Sequence, residues 1–363
     1  MNTFRQLTAL SLMAGSMFLI TPATASTPVQ KDSPVINTLF AQTKPQCIGR
    51  YVLDVPASFN NQLHDMIFID DFKIESKHLY PPAFKQRVQL REQALRDAIN
   101  KPENEPENAP FIKEKIILPD NKGIIFDRNI SGEDDLGRVL EAHVFVNMTA
   151  FIITTEILDL SDYKYLERKK TYIKAGFTDA QMNEKPAKLA ALQSLISRLS
   201  GRKDEDIPSG KGVCIPNGFI RDDGGKHREK VTFSYENDDF ILGVYTNNKH
   251  PGSNDTLFNR SAQINEALKT SNQYTIKKAA LSPNGIPAES WLFGGTQSIR
   301  NPVTGKDEKN TFYDFDFYAN ERDATVDKPK IGIGLTSEYK KTRYSEAQMI
   351  EIWDRLVNSL RYK

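Results

Sequence analysis

The sequence predicts an α+β chain of two tandem, duplicated domains, each a mainly antiparallel sheet packed with helices. Three observations predict it. Strand-like runs follow one another without the regular helical crossovers that a parallel sheet requires. The chain has 363 residues, and the 338 that remain after an N-terminal export segment (363 − 25) exceed the roughly 250–300 at which one core usually divides. Finally, Thr178-Asp179-Ala180-Gln181-Met182 and Ser345-Glu346-Ala347-Gln348-Met349 match at three of five positions, at an offset of 167 (345 − 178) that Cys47 and Cys214 share.

Arg5 precedes the apolar stretch Leu7 to Ile20, and Thr21-Pro22-Ala23-Thr24-Ala25 ends it with a small-x-small site, the layout of a secretory signal cleaved after Ala25. About 14 apolar residues are too few to span a bilayer as a helix. No later stretch reaches that length, so no membrane-spanning segment is expected after cleavage.

In the first half, strands are expected around 47–54, 113–118, 123–127, 138–147 and 150–158. A helix at about 82–99 starts at Pro81-Pro82 and carries Phe84, Val88, Leu95 and Ile99 on one face. In the second half, strands fall near 213–220, 230–235, 239–246, 274–280, 287–293, 311–318 and 330–336, with a helix near 257–269. Each half closes on a helix. Ser345 and Gln348 make a capping box, and Met349, Ile350, Trp353, Leu356, Val357 and Leu360 recur at three and four, which buries one face on a sheet. Thr178 and Gln181 can cap the first half's closing helix in the same way, with Leu189, Leu192, Ile196 and Leu199 as its apolar face, although Pro186 must bend or restart it. The polar, glycine- and proline-containing stretch from Gly201 to Gly212 separates the halves, so the domains are taken as 42–202 and 210–363 with 203–209 as linker.

Composition excludes several functions. Lys and Arg number 48 against 47 Asp and Glu, and removal of Arg5 with the signal leaves a balance of zero. A protein that binds nucleic acid through phosphates needs a basic excess, and none exists here. Only two cysteines are present, Cys47 and Cys214. In an oxidising compartment they can form one disulfide, worth on the order of 4–5 kcal/mol by chain-entropy reasoning, or they can be two buried thiols. Nothing local decides between these.

Chemical motifs are absent: there is no Gly-x-Ser-x-Gly elbow, His-Glu-x-x-His, phosphate-binding Gly-x-x-x-x-Gly-Lys-Ser/Thr or Cys-x-x-Cys. Gly332-Ile333-Gly334 lacks a third glycine and reads as strand glycines rather than a dinucleotide turn. Asp222-Asp223-Gly224-Gly225-Lys226-His227 reads as a hairpin loop rather than a metal site. The histidines His64, His78, His143, His227 and His250 form no sequence cluster. No cofactor is indicated. The charged segments 101–108 and 320–329 read as solvated loops, the kind of surface on which recognition is built.

Gln46-Cys47-Ile48-Gly49-Arg50-Tyr51-Val52-Leu53-Asp54-Val55-Pro56-Ala57-Ser58-Phe59 resembles the opening motif of the immunity proteins that neutralise type VI secretion lipase effectors of the fourth phospholipase class. Gly212-Val213-Cys214-Ile215-Pro216-Asn217-Gly218-Phe219-Ile220 resembles the motif that opens their C-terminal domain. The resemblance implies a periplasmic binding protein with no catalytic residues, which grasps a cognate phospholipase effector between two domains and keeps it from membrane lipid. It marks no contact residues. Read physically, 47–55 is one strand with a buried face, and Arg50 and Asp54 share a side of it as a surface pair worth little. The competing classes are a periplasmic hydrolase, which needs a reactive serine or carboxylate pair in a cleft, and a solute-binding module.

Overall fold

The computed structural model describes residues 33–62, 66–301 and 303–363. The expected signal at 1–25 and His64 lie outside the described residues. The first half runs α1 (Pro34–Phe40), β1 (Thr43–Ile48), β2 (Tyr51–Pro56), β3 (Asn60–Asn61), β4 (Ile67–Ile69), β5 (Phe72–His78), α2 (Pro81–Asp97), β6 (Ile112–Ile117), β7 (Gly123–Asn129), β8 (Gly137–Val146) and β9 (Thr149–Leu158). It ends with α3 (Leu166–Lys174), α4 (Asp179–Met182), α5 (Lys185–Arg198) and β10 (Leu199–Gly201). The second half runs β11 (Gly212–Ile215), β12 (Gly218–Arg221), β13 (Glu229–Glu236), β14 (Ile241–Asn247), α6 (Ser261–Thr270), β15 (Gln273–Leu281), β16 (Ala288–Arg300), β17 (Asp307–Ala319), β18 (Lys330–Thr336), α7 (Glu346–Asn358) and β19 (Arg361–Tyr362).

The halves share one strand order, β4-β5-β9-β8-β7-β6 in the first and β13-β14-β18-β17-β16-β15 in the second. Antiparallel pairing of β4 with β13, Ile67 opposite Val231 and Ile69 opposite Glu229, joins them edge to edge into one large sheet. Each half also lends its closing strand to the other. β19 pairs with β2, and β10 pairs with β12.

Two runs read as single strands are hairpins instead. Gly49 at φ 59° and Asn217 at φ 56° take the left-handed conformation that glycine and asparagine tolerate, and the chain turns back on itself. The resulting pairs, Cys47 with Val52 and Cys214 with Phe219, correspond to the residue at the shared offset of 167. Pro186 restarts its helix: Thr178 and Gln181 form a complete capping box on the single turn α4, and α5 begins afresh with Pro186 in its first turn. Ser345 and Gln348 form the same box on α7. The stretch 222–228 is a connection between two sheets rather than a hairpin loop, because β12 and β13 do not pair. The short hairpin β4–β5 and the helix α3 had no expectation in the sequence.

One face of the sheet is packed by α5, α7 and the two small hairpins. Leu192 and Ile196 share one core there with Ile153 and Leu140, and Trp353, Leu356 and Val357 with Phe315, Phe317 and Ile333, the Trp353 ring standing edge-on to Phe315. On the other face α2 covers Ile124 and Phe126 of β7, and α6 covers Trp291 and Phe293 of β16. The strands between those helices are uncovered on this side by the helices of the described residues.

Candidate partner-binding site

The two cysteines meet where the halves meet. Cys47 and Cys214 are disulfide-bonded, with Cα atoms 5.7 Å apart and no exposure, and Gly49 exchanges backbone hydrogen bonds with Cys214 at 2.9 and 2.8 Å. Arg50, at the tip of the β1–β2 hairpin, is not paired with Asp54. It donates to both Asp222 carboxylate oxygens at 2.9 Å and to Glu229 at 2.6 and 3.1 Å. Burial opposes its charge, and the hydrogen bonds to those two carboxylates more than offset it, holding the guanidinium above its ordinary pKa. Burial also pushes Glu229 up, while Arg50 pulls it back. Asp54 instead accepts from Arg361 of the exchanged strand β19 at 3.0 Å.

The stretch after Gly201 is fastened along its length. Arg202 is buried and donates to the carbonyls of Cys47, Gly218, Lys203 and Asp204. Asp204 accepts from Asn61 and from the Asn217 amide, both at 2.7 Å. Arg202 therefore ties the two hairpins together, and Asp204 ties the β11–β12 turn to β3. A cavity of about 580 Å³ opens beside them, among Lys44, Gln46, Phe59, Tyr80, Asp204 and Tyr235.

The other candidates are dispersed. His227 lies between Asp70 at 2.7 Å and Asp223 at 3.0 Å; burial lowers its pKa, and the two carboxylates reverse that shift and leave it raised. His143 is buried against Glu141, a carboxylate that also accepts from Arg91 and Arg128. His78 contacts Thr149, and His250 is exposed. Among the described residues no group of three or more His, Cys, Asp or Glu can hold a metal ion. Gly332 and Gly334 lie within β18. The segment 101–108 is exposed except at Asn104 and Asn108, whereas 320–329 begins with buried Asn320 and Glu321, and Glu321 accepts from Lys330 at 3.0 Å.

What remains is the uncovered face. Between the ridges of α2 and α6 it presents Asp314, Asp316 and Tyr318 of β17, Gly334 and Thr336 of β18, Gly243 and Tyr245 of β14, and Thr232 and Ser234 of β13. Burial, with Asp314 alongside, pushes the Asp316 carboxyl up to about 7. Burial and Glu338 raise Asp314 as well. The sequence carried a partial signal for this face, since Asp314 and Asp316 alternate with Phe315 and Phe317 and must lie opposite the core.

Residues 44–202 match the Tle cognate immunity protein 4 N-terminal domain, and residues 206–363 match the C-terminal domain of the same family. No curated protein matches the chain. Among solved structures it is similar to the apo immunity protein TplEi of the type VI secretion system from Pseudomonas aeruginosa, at 16% identity and a TM-score of 0.63, covering 88% of this chain and 97% of that one. It is also similar to a chain of the Tle4-Tli4 complex, at 17% identity and a TM-score of 0.64, covering 89% and 98%. A third likeness, to TplEi complexed with a peptide, has 16% identity and a TM-score of 0.59 and covers 88% and 98%. At these identities the structures establish a shared fold. With both domains matched in order, the chain belongs to the Tle cognate immunity protein 4 family, whose members are immunity proteins and not enzymes.

Proposed function

We propose that the chain is a periplasmic immunity protein that binds a cognate type VI secretion phospholipase effector and inhibits it by holding it between two domains, 42–202 and 210–363, joined through 203–209. The observation that carries this reading is the match of both halves to one immunity family. The signal layout ending at Ala25 supports export, and the described residues contain no helix long and apolar enough to cross a membrane. A disulfide at Cys47–Cys214 fits an oxidising compartment. The raised rims α2 and α6, one from each half, suit a grip that uses both halves and blocks the effector's approach to lipid.

The test uses the exported protein and the type VI phospholipase of the same bacterium. Mass measurement should place the mature N-terminus at Ser26. Lipid hydrolysis by the phospholipase should fall to background at equimolar immunity protein, and hydrolysis that continues unchanged overturns the reading. Cross-linking within the complex addresses the grip. Links from both halves are expected, and links from one half alone would leave inhibition intact but refute the two-sided hold.

A further inference from the structure

We propose that the effector docks on the uncovered sheet face at the row Ser234, Gly243, Gly334 and Asp316, laying a lysine or arginine side chain in the glycine-floored trough against Asp316 and Asp314. The proposal rests on the immunity reading above and names the surface it uses.

The row follows from register. Ser234 lies opposite Gly243, Gly243 opposite Gly334, and Gly334 opposite Asp316, across four adjacent strands with no bulge in these ladders. Glycine weakens the interior of a strand, and where it persists it often marks a bulge or the close approach of another group. Gly332 has a packing reason of that kind, because a Cβ there would stand 2.3 Å from the Tyr245 ring. Gly243 and Gly334 have none. Neither has a positive φ, a Cβ on Gly243 would meet nothing within 4 Å, and one on Gly334 would stand at ordinary van der Waals distance, 3.9 Å from Asp316 Oδ1 and 4.0 Å from the Phe315 carbonyl oxygen. The fold does not require these two glycines, and the space above them is open. Tyr245 and Tyr318 flank that space, which amounts to about 260 Å³.

Charge selects the occupant. The Asp314 and Asp316 carboxyl groups make no hydrogen bond or ion pair among the described residues; Asp316 accepts from Ser290 Oγ only through its backbone carbonyl, at 3.0 Å. Arg260, the cation that acts on Asp316, is held by Asp255 and Glu321. Two half-buried carboxylates side by side without a counter-charge weaken the free protein, and an ammonium or guanidinium brought in by a partner relieves that cost. The trough is shallow and lies on a broad face between two helical rims, so the cation is best delivered by a protein surface.

The experiment measures binding of the purified cognate phospholipase to the full mature chain and to three variants, Gly243→Val, Gly334→Val and Asp316→Asn, with the Tm of each. The valines fill the trough at positions where strand propensity favours them, so Tm should hold or rise while binding weakens roughly 10-fold or more. Asp316→Asn should weaken binding by a similar factor and flatten its salt dependence. If the parent binds and all three variants bind equally well, the docking site is wrong and the immunity reading stands. If the parent does not bind the phospholipase, both fall. Should a valine lower Tm, Asp316→Asn, which preserves side-chain size, decides alone.

Discussion

Replacing Arg50 tests whether the hairpin tip is a surface ornament or a pin between the halves. Its side chain is 10% exposed, and its partners Glu229 and Asp222 are 2% and 24% exposed, so Arg50→Met keeps the stem and strands a buried carboxylate. An exposed ion pair contributes at most about 1 kcal/mol, whereas removing one partner of a buried pair costs roughly 3–5 kcal/mol. Asp222 retains access to water, which places the expected loss near the lower end, about 3 kcal/mol. Urea unfolding at pH 7 measures it as a shift in midpoint at constant slope. The loss should depend on pH in a defined sense. Burial already raises Glu229, and without Arg50 it rises further, so the folded variant keeps a proton that the unfolded chain releases. That proton stabilises the fold fully below the ordinary carboxylate range, near pH 4, and the benefit is lost as pH rises through the folded value. The deficit of the variant is therefore smallest in acid and largest at pH 8. Adding Glu229→Gln should recover most of it, since the stranded charge is gone. A deficit under about 1 kcal/mol at pH 7, no larger than that of Asp54→Ala, would return Arg50 to the surface pair that local sequence suggests.

Trp353→Ala removes a fully buried ring and its Nε1 hydrogen bond to Ser290 at 2.9 Å, and should cost roughly 3–5 kcal/mol in the same assay; a variant that melts like the parent would mean that α7 does not pack on the sheet. Asp316→Asn should raise Tm at pH 8 and converge with the parent near pH 4, because a carboxyl raised to about 7 beside Asp314 favours the fold only while protonated; equal melting curves at both pH values would contradict this. Residues 26–202 and 208–363 expressed apart should fold poorly alone and recover secondary structure when mixed, as circular dichroism and gel filtration would report, since each piece lacks a strand that the other supplies. Independent cooperative melting of either piece would refute the exchange.

The legibility of the fold in the sequence follows the range of the interactions. α7 is readable because its capping box and its three-four apolar repeat are local, and the structure uses both. The paired boxes at Thr178 and Ser345 likewise expose the repeat. The hairpins at Gly49-Arg50 and Pro216-Asn217 are hidden because each turn is two residues long inside a run of strand formers, although Gly and Pro-Asn are turn residues in their own right. β10 and β19 have three and two residues, too short to leave any periodic pattern. Arg50 could not be placed at all, because its partners lie 172 and 179 residues away. For the uncovered face, alternation of Asp314 and Asp316 with Phe315 and Phe317 assigns sides, but the emptiness above Gly243 and Gly334 depends on three strands that meet only in the folded sheet.

The geometry of the repeat bears on how one partner can be gripped. Cys47 and Cys214 occupy equivalent positions and bond to each other, equivalent strands β4 and β13 pair antiparallel, and β10 is given to β12 as β19 is given to β2. Equivalent groups meet in this manner only around a two-fold axis, the self-complementary contact of a symmetric dimer, here within one chain. The axis places α2 and α6 as matching rims on one face. The surface between them has lost the symmetry. On the first-half side, Glu141 of β8 is satisfied by Arg91 and Arg128, beside Ile152 and Thr154 of β9. On the second-half side, the Asp314 and Asp316 side chains of β17 have no hydrogen-bond or ion-pair partner among the described residues and stand next to two open glycines. In the proposed hold, the symmetric pair of rims sets the width of the grip, and the one-sided acidic trough sets which way round an asymmetric partner sits.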